Sequence, residues 1–289
     1  MTMHAPTRLF DLRSPVELAS IVKTFPTIAN ASPHASRSDK YRVIPTLPVL
    51  DSLVADGFRV HDAQVARVRD KSKIGFEKHL IRLRHVDHTT GFGRNVGDEA
   101  PELTLINSHD GGSAWTLILG IIRFACANGL IVGRSWGHYT VRHSGNPEVI
   151  AKAVTDAAHT ARDGFGKLAD TIERYKATTL NSRDMEEFAT RAHALRWPVS
   201  TDPDKPTRAP VSPLMLVDNV RREADDNDDL WTVLNRVQEN LTKGGIQGRM
   251  VGSNGRTRRT TLRAMTGIDA SVGLNRDLFD LAEQYAVAA

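Results

Sequence analysis

The chain has 289 residues, 38 Lys/Arg against 34 Asp/Glu and a formal net charge of +4, enough for one large domain or two small ones. It has no apolar run of about 18 residues, which excludes a membrane-spanning helix. The single cysteine, Cys126, excludes an internal disulfide and a cysteine-based zinc site. Residues 1–10 show no basic stretch followed by an apolar one, so no secretory signal is expected and the expected location is cytoplasmic. The charge is blocked. Arg59 to Arg94 holds nine Lys/Arg against four acids, together with His61, His79, His85 and His88. Lys243 to Arg263 holds six Lys/Arg and no acid, and Asp218 to Asp229 holds six acids against two arginines.

Residues 1–40 read as an irregular arm, with a short helix at Ser14 to Thr24 started by Ser14-Pro15. A core domain follows at 41–197. Thr46 to Asp56 is a short helix ended by Gly57. Strands are expected at Phe58 to Arg69 and Phe76 to His85, where apolar and polar residues alternate, with a turn over Lys71 to Gly75. Pro101 to Ile106 and Trp115 to Ala125 form a hairpin around Asn107-Ser108-His109-Asp110-Gly111-Gly112, with Asp110-Gly111 as a two-residue turn. Trp115 to Ala125 is apolar on both faces, so it reads as a central strand. A last strand is expected at His138 to His143.

From Pro147 the apolar period becomes three and four. Ile150, Val154, Ala157, Ala161, Phe165, Leu168, Ile172 and Tyr175 mark one long helix capped by Asn146, with Gly164 and Gly166 as its weak point. Ser182 to Leu195 is a further helix with Ser182 as N-cap. Pro198 to Pro213, with five prolines, reads as a linker before a mainly helical region at 214–289. That region has helices at Asp229 to Leu241 and Asn275 to Tyr285, and a mobile basic loop at Gln247 to Arg259. The fold class is therefore α+β: an antiparallel sheet of about five strands backed by a long helix, followed by a helical C-terminal part.

No phosphate loop, dinucleotide fingerprint, nucleophile elbow or paired-histidine zinc helix occurs, so no catalytic residue, metal or cofactor is assigned. His109 and Asp110, with His85 or His143, could serve a metal or acid–base chemistry. Tight-turn chemistry accounts for the same residues more simply. Arg67, Arg69, Lys71, Lys73, Lys78, Arg82 and Arg84 lie on adjacent expected strands and their turn. Arg82 and Arg84 alternate with Ile81 and Leu83, which would place them on an outer, solvated face able to bind phosphates. Arg256, Arg258 and Arg259 add a second grip, with Arg249 and Arg263 nearby. Phe76, Phe92 and Trp136 are the aromatic residues available for stacking on bases.

The string Leu105-Ile106-Asn107-Ser108-His109-Asp110-Gly111-Gly112-Ser113-Ala114 and the segment Ile121-Ile122-Arg123-Phe124-Ala125-Cys126-Ala127-Asn128-Gly129-Leu130 resemble the phage/plasmid-like protein family. So do Arg142-His143-Ser144-Gly145-Asn146 and the later Leu230 to Leu241. This is a domain-of-unknown-function group found on phages, plasmids and integrated elements. Asn107, Ser108, His109, Asp110, Gly111, Arg123 and Asn128 carry the likeness, while Ala127 to Leu130 departs from the family's Asn-Thr-Leu ending. The resemblance implies a mobile-element setting and no particular activity. The leading expectation is a non-enzymatic protein that binds nucleic acid, single-stranded DNA in preference, in recombination or replication, and a homo-oligomer is compatible with it. One alternative is an inhibitor of a host defence protein, with Asp218 to Asp229 imitating phosphate charge. The other is a metal-dependent enzyme acting on nucleic acid.

Overall fold

A computed structural model describes residues 8–11, 13–89, 94, 98–123, 130–131, 137–202, 207–251 and 256–288. Two compact units divide the chain. The first comprises residues 1–129 and 136–166, the second residues 130–135 and 167–289. The class is α+β, as the sequence leads one to expect.

In the first unit an antiparallel sheet runs in the order β1 (Arg8–Phe10), β2 (Phe58–Val65), β3 (His79–His85), β4 (Glu99–Asn107) and β5 (Trp115–Arg123). Strand Leu130–Ile131 is β6. Strand β7 (His138–Val141) pairs with β5 on the side away from β4, so β5 is central. Its alternating residues explain this position: Trp115, Leu117 and Leu119 on one face and Ile118 and Ile122 on the other are all buried. The arm is more ordered than expected. It supplies β1, with Leu9 opposite Ala63, and helix α1 (Leu18–Thr24). Strand β2 ends at Val65, four residues early, and residues 66–78 form a loop with a 3-10 turn at Lys71–Lys73.

Helix α2 (Thr46–Ala55) packs on β2 and ends where Gly57 takes φ +97°. Helix α3 (Pro147–Asp163) packs on β5 and β7, and the Asn146 side chain accepts from the Glu148 N–H at 2.8 Å as its cap. The single long helix expected from Pro147 is two, because α3 ends at Gly164 and α4 (Phe165–Ala177) begins anew. A side chain at Gly164 would put Cβ 2.6 Å from Leu119 Cδ1, so the glycine permits the close approach of helix end and sheet.

In the second unit α5 (Ser182–Arg196), α7 (Leu230–Lys243) and α8 (Ile268–Ala288) pack on one another, and β6 lies against α8. Asn181 caps α5, one residue before the expected Ser182. Its side chain accepts from the Asp184 N–H at 3.0 Å while Asp184 accepts from the Asn181 N–H. Every residue of α7 from Leu230 to Thr242 is buried, so its polar side also faces protein. Residues 216–227 wrap that side. Arg236 donates to the carbonyls of Asp225 and Asn227, and Arg222 pairs with Glu239 at 2.5 Å and with Asp225. Asn240 donates to the Leu216 and Asn219 carbonyls at 2.9 Å. The short helix α6 (Met215–Asp218) belongs to this wrap. The segment expected to be a mobile loop is an antiparallel ribbon, β8 (Gln247–Val251) with β9 (Thr257–Thr261). Among the described residues no helix is long and apolar enough to cross a membrane.

Candidate nucleic-acid interface

The hairpin tip between β4 and β5 is a seven-residue loop, 108–114, in place of the expected two-residue turn at Asp110-Gly111. Gly111 has φ +76°. The loop is held by its own side chains. Asp110 Oδ1 accepts from the Gly112 N–H and Ser108 Oγ from the Ser113 N–H, both at 2.8 Å. The same string clasps the segment before α2. Asn107 Nδ2 donates to the Ile44 carbonyl at 2.8 Å and to Thr46 Oγ1 at 2.9 Å. The Tyr41 hydroxyl donates to the Ser108 carbonyl at 3.0 Å, and the His34 N–H to the His109 carbonyl at 2.9 Å. Asn107, Ser108 and His109 are fully buried. Burial pulls the His109 imidazole down to about 4, with His143 adding to the shift, so it is neutral near pH 7. Burial raises the Asp110 carboxyl, but the Gly112 N–H and the Lys73 ammonium, 3.0 Å away, outweigh it and hold the group below its ordinary value.

Of the residues of the metal-enzyme reading, His143 lies near enough to His109 to depress its pKa, but His85 does not join them. His79, whose ring centroid is 5.6 Å from that of His109, pairs with Asn107 at one end of β3, and His85 pairs with Phe58 at the other. Six residue steps of strand separate the two histidines by about 20 Å. His85 is occupied elsewhere, with Nε2 2.8 Å from the Asp56 carbonyl. His143 stacks on Tyr41 at 4.8 Å, with Nδ1 3.1 Å from the Arg42 carbonyl. Among the described residues no group of three or more His, Cys, Asp or Glu could hold a metal ion.

The expected basic face changes most. Arg82 and Arg84 are not solvated: they are 8% and 1% exposed. Both grip Glu102, Arg82 Nη1 at 2.9 Å and Arg84 Nε at 3.1 Å, and Arg82 also faces Asp62 at 3.7 Å. Arg8 forks onto Asp62 at 2.8 and 2.7 Å. The face carrying the two arginines is a buried ion network. The sequence misled because alternation reports two faces and does not tell which is covered. Burial, helped by the Arg84 charge, pulls His61 beside this network down to about 4. Lys73 is committed to Asp110, and Lys78 is half-buried. Arg67, Arg69 and Lys71 are exposed on the 66–78 loop. Arg123 is buried, with Glu99 as its register partner on β4. Asn128, Phe92 and Trp136 lie outside the described residues.

The second basic patch gains geometry. Arg249 and Arg259 are register partners across the ribbon, so their side chains share one face, while Arg258 opposes Met250 on the other. Arg249, Arg256, Arg258, Arg259 and Arg263 are all exposed. Among the described residues no carboxylate pairs with Arg249, Arg258 or Arg259. The period of two in Gln247/Arg249/Val251 and Thr257/Arg259/Thr261 was the available signal for strands here. The ribbon is seated by backbone. A Cβ at Gly248 would lie 1.8 Å from the Pro210 carbonyl oxygen, so only glycine allows this approach. Of the acidic stretch, Asp225 and Asp229 are buried and used internally, Asp229 capping α7 by accepting from the Thr232 N–H at 2.9 Å.

Two curated proteins of Escherichia coli (strain K12), UPF0380 protein YfjQ and UPF0380 protein YafZ, are each 34% identical to this chain over 269 residues, covering 93% of it and 91% of their own length. No solved structure matches significantly. The model of the family described as "Domain of unknown function (DUF932)" matches residues 33–278, which takes in the clasp, the sheet, α7 and the ribbon, and the chain belongs to that family.

Proposed function

We propose that this chain binds nucleic acid through phosphate contacts made by the β8–β9 ribbon. The observation that carries the reading is the in-register Arg249/Arg259 pair with Arg258 and Arg263 exposed beside it, in a stretch from Lys243 to Arg263 that holds no acid. Guanidiniums without carboxylate partners on a paired ribbon suit backbone phosphates, whose binding is driven by counterion release. Arg67, Arg69 and Lys71 are a further exposed cationic group. The Asn107 and Asp110 side chains are spent on holding the hairpin tip and the segment before α2, which favours a structural role over catalysis for them. The resemblance to phage/plasmid-like proteins suits a task on the DNA of a mobile element, with single strands as the preferred ligand.

Fluorescence anisotropy of labelled single-stranded and duplex oligonucleotides against the full chain tests this. Binding at low salt should weaken as salt rises, with a log–log slope of about −0.7 per phosphate contact on single strands. No binding to either probe at low salt overturns the proposal.

A further inference from the structure

Beside the ribbon lies a groove of about 660 Å³. One wall is apolar, from Pro210, Val211 and Met215; the other is the ribbon, with Gln247, Arg249 and Arg259. The volume lies in the range of sites that take small organic groups. The two walls ask for different chemistry. The apolar wall cannot hold a phosphate, and the paired guanidiniums suit one well. A nucleotide unit has both parts, a flat base of low polarity on its faces and an anionic phosphate.

We infer that this groove takes one unstacked nucleobase of a single strand, laid against Pro210, Val211 and Met215, while Arg249 and Arg259 hold the adjoining phosphate. The inference rests on the proposed nucleic-acid binding and gives it a strand preference. In a duplex the base faces are covered by their neighbours, and exposing one costs unstacking energy. A single strand offers its bases without that cost, and contact with a base face adds affinity without reading sequence. The ribbon's seat on Pro210 holds the two walls of the groove side by side.

The experiment uses the full chain and three labelled probes of about 20 nucleotides: oligothymidylate, an abasic phosphodiester strand of equal charge, and a duplex. Oligothymidylate should bind about tenfold more tightly than the abasic strand, the worth of about 50 Å² of apolar surface removed from water. A strand carrying 4-thiothymidine should crosslink under ultraviolet light to a peptide containing residues 210–215, located by mass spectrometry. Equal affinity for the base-bearing and abasic strands, or crosslinks confined to other peptides, overturns the groove assignment while leaving phosphate binding intact. Failure of all three probes to bind overturns the proposed function itself.

Discussion

Thr46 Oγ1 stands 2.7 Å from Nε2 of His79, wholly inside the first unit, and the ring's Nδ1 is 3.0 Å from the Glu77 carbonyl. Burial pulls this imidazole down to about 3 and His109 down to about 4. Both are neutral when folded and titrate near their ordinary value of 6.5 when unfolded. The unfolded chain therefore takes up protons first as pH falls. Stability is full above about 6.5 and declines below it, by up to about 1.4 kcal/mol per pH unit for each histidine, until the folded values are reached. Urea denaturation at pH 7 and pH 5 should show a lower midpoint at pH 5. Asp110, held low, contributes to acid loss only below its own ordinary range, so the histidine window stands apart. A midpoint unchanged between the two pH values would contradict this account.

Glu102→Ala leaves Arg82 and Arg84 buried without their shared carboxylate. The loss should be about 3–5 kcal/mol in chemical denaturation, because an unpaired buried charge costs more than the pair contributes. Adding Arg84→Leu to that variant should restore part of the loss, and the two changes should be non-additive.

Asn107→Asp replaces a donor that faces two acceptors, the Ile44 carbonyl and Thr46 Oγ1. Destabilisation of about 2–3 kcal/mol is expected, greater than for an exposed loop asparagine. Limited proteolysis should then cut within residues 34–46 faster than in the parent chain.

Gly248→Val should displace the ribbon from Pro210, since the added carbons meet a backbone oxygen. A lowered melting temperature with weakened oligonucleotide binding is the expected pairing. The contrasting variant, Arg258→Ala with Arg259→Ala, should weaken binding and flatten its salt slope while leaving the unfolding free energy within about 0.5 kcal/mol of the parent.

Much of this was legible in the sequence. Asn146-Pro147 and the Gly57 stop declared their helix ends, and Trp115 to Ile122 declared a central strand, because local chemistry decides such features. The hairpin was visible, but its clasp was not: Asn107 finds Ile44 and Thr46 more than 60 positions away. Arg82 and Arg84 looked exposed because their acids, Glu102 and Asp62, come from other strands. Arg258 and Arg259 stand out in the sequence by their charge, while the ribbon under them is hidden by glycines that read as a loop.

The clasp also bears on the order of events when the chain is made. Residues 34–46 leave the ribosome well before Asn107, Ser108 and His109, which supply their hydrogen-bond partners. Until the hairpin exists, those N–H and carbonyl groups have only water to bind, and closing so long a loop first would lose entropy without return. Folding of the first unit is therefore expected to start from β4 and β5 with the earlier segment docking later, so pulsed hydrogen exchange should protect the His34 N–H after the β4–β5 amides.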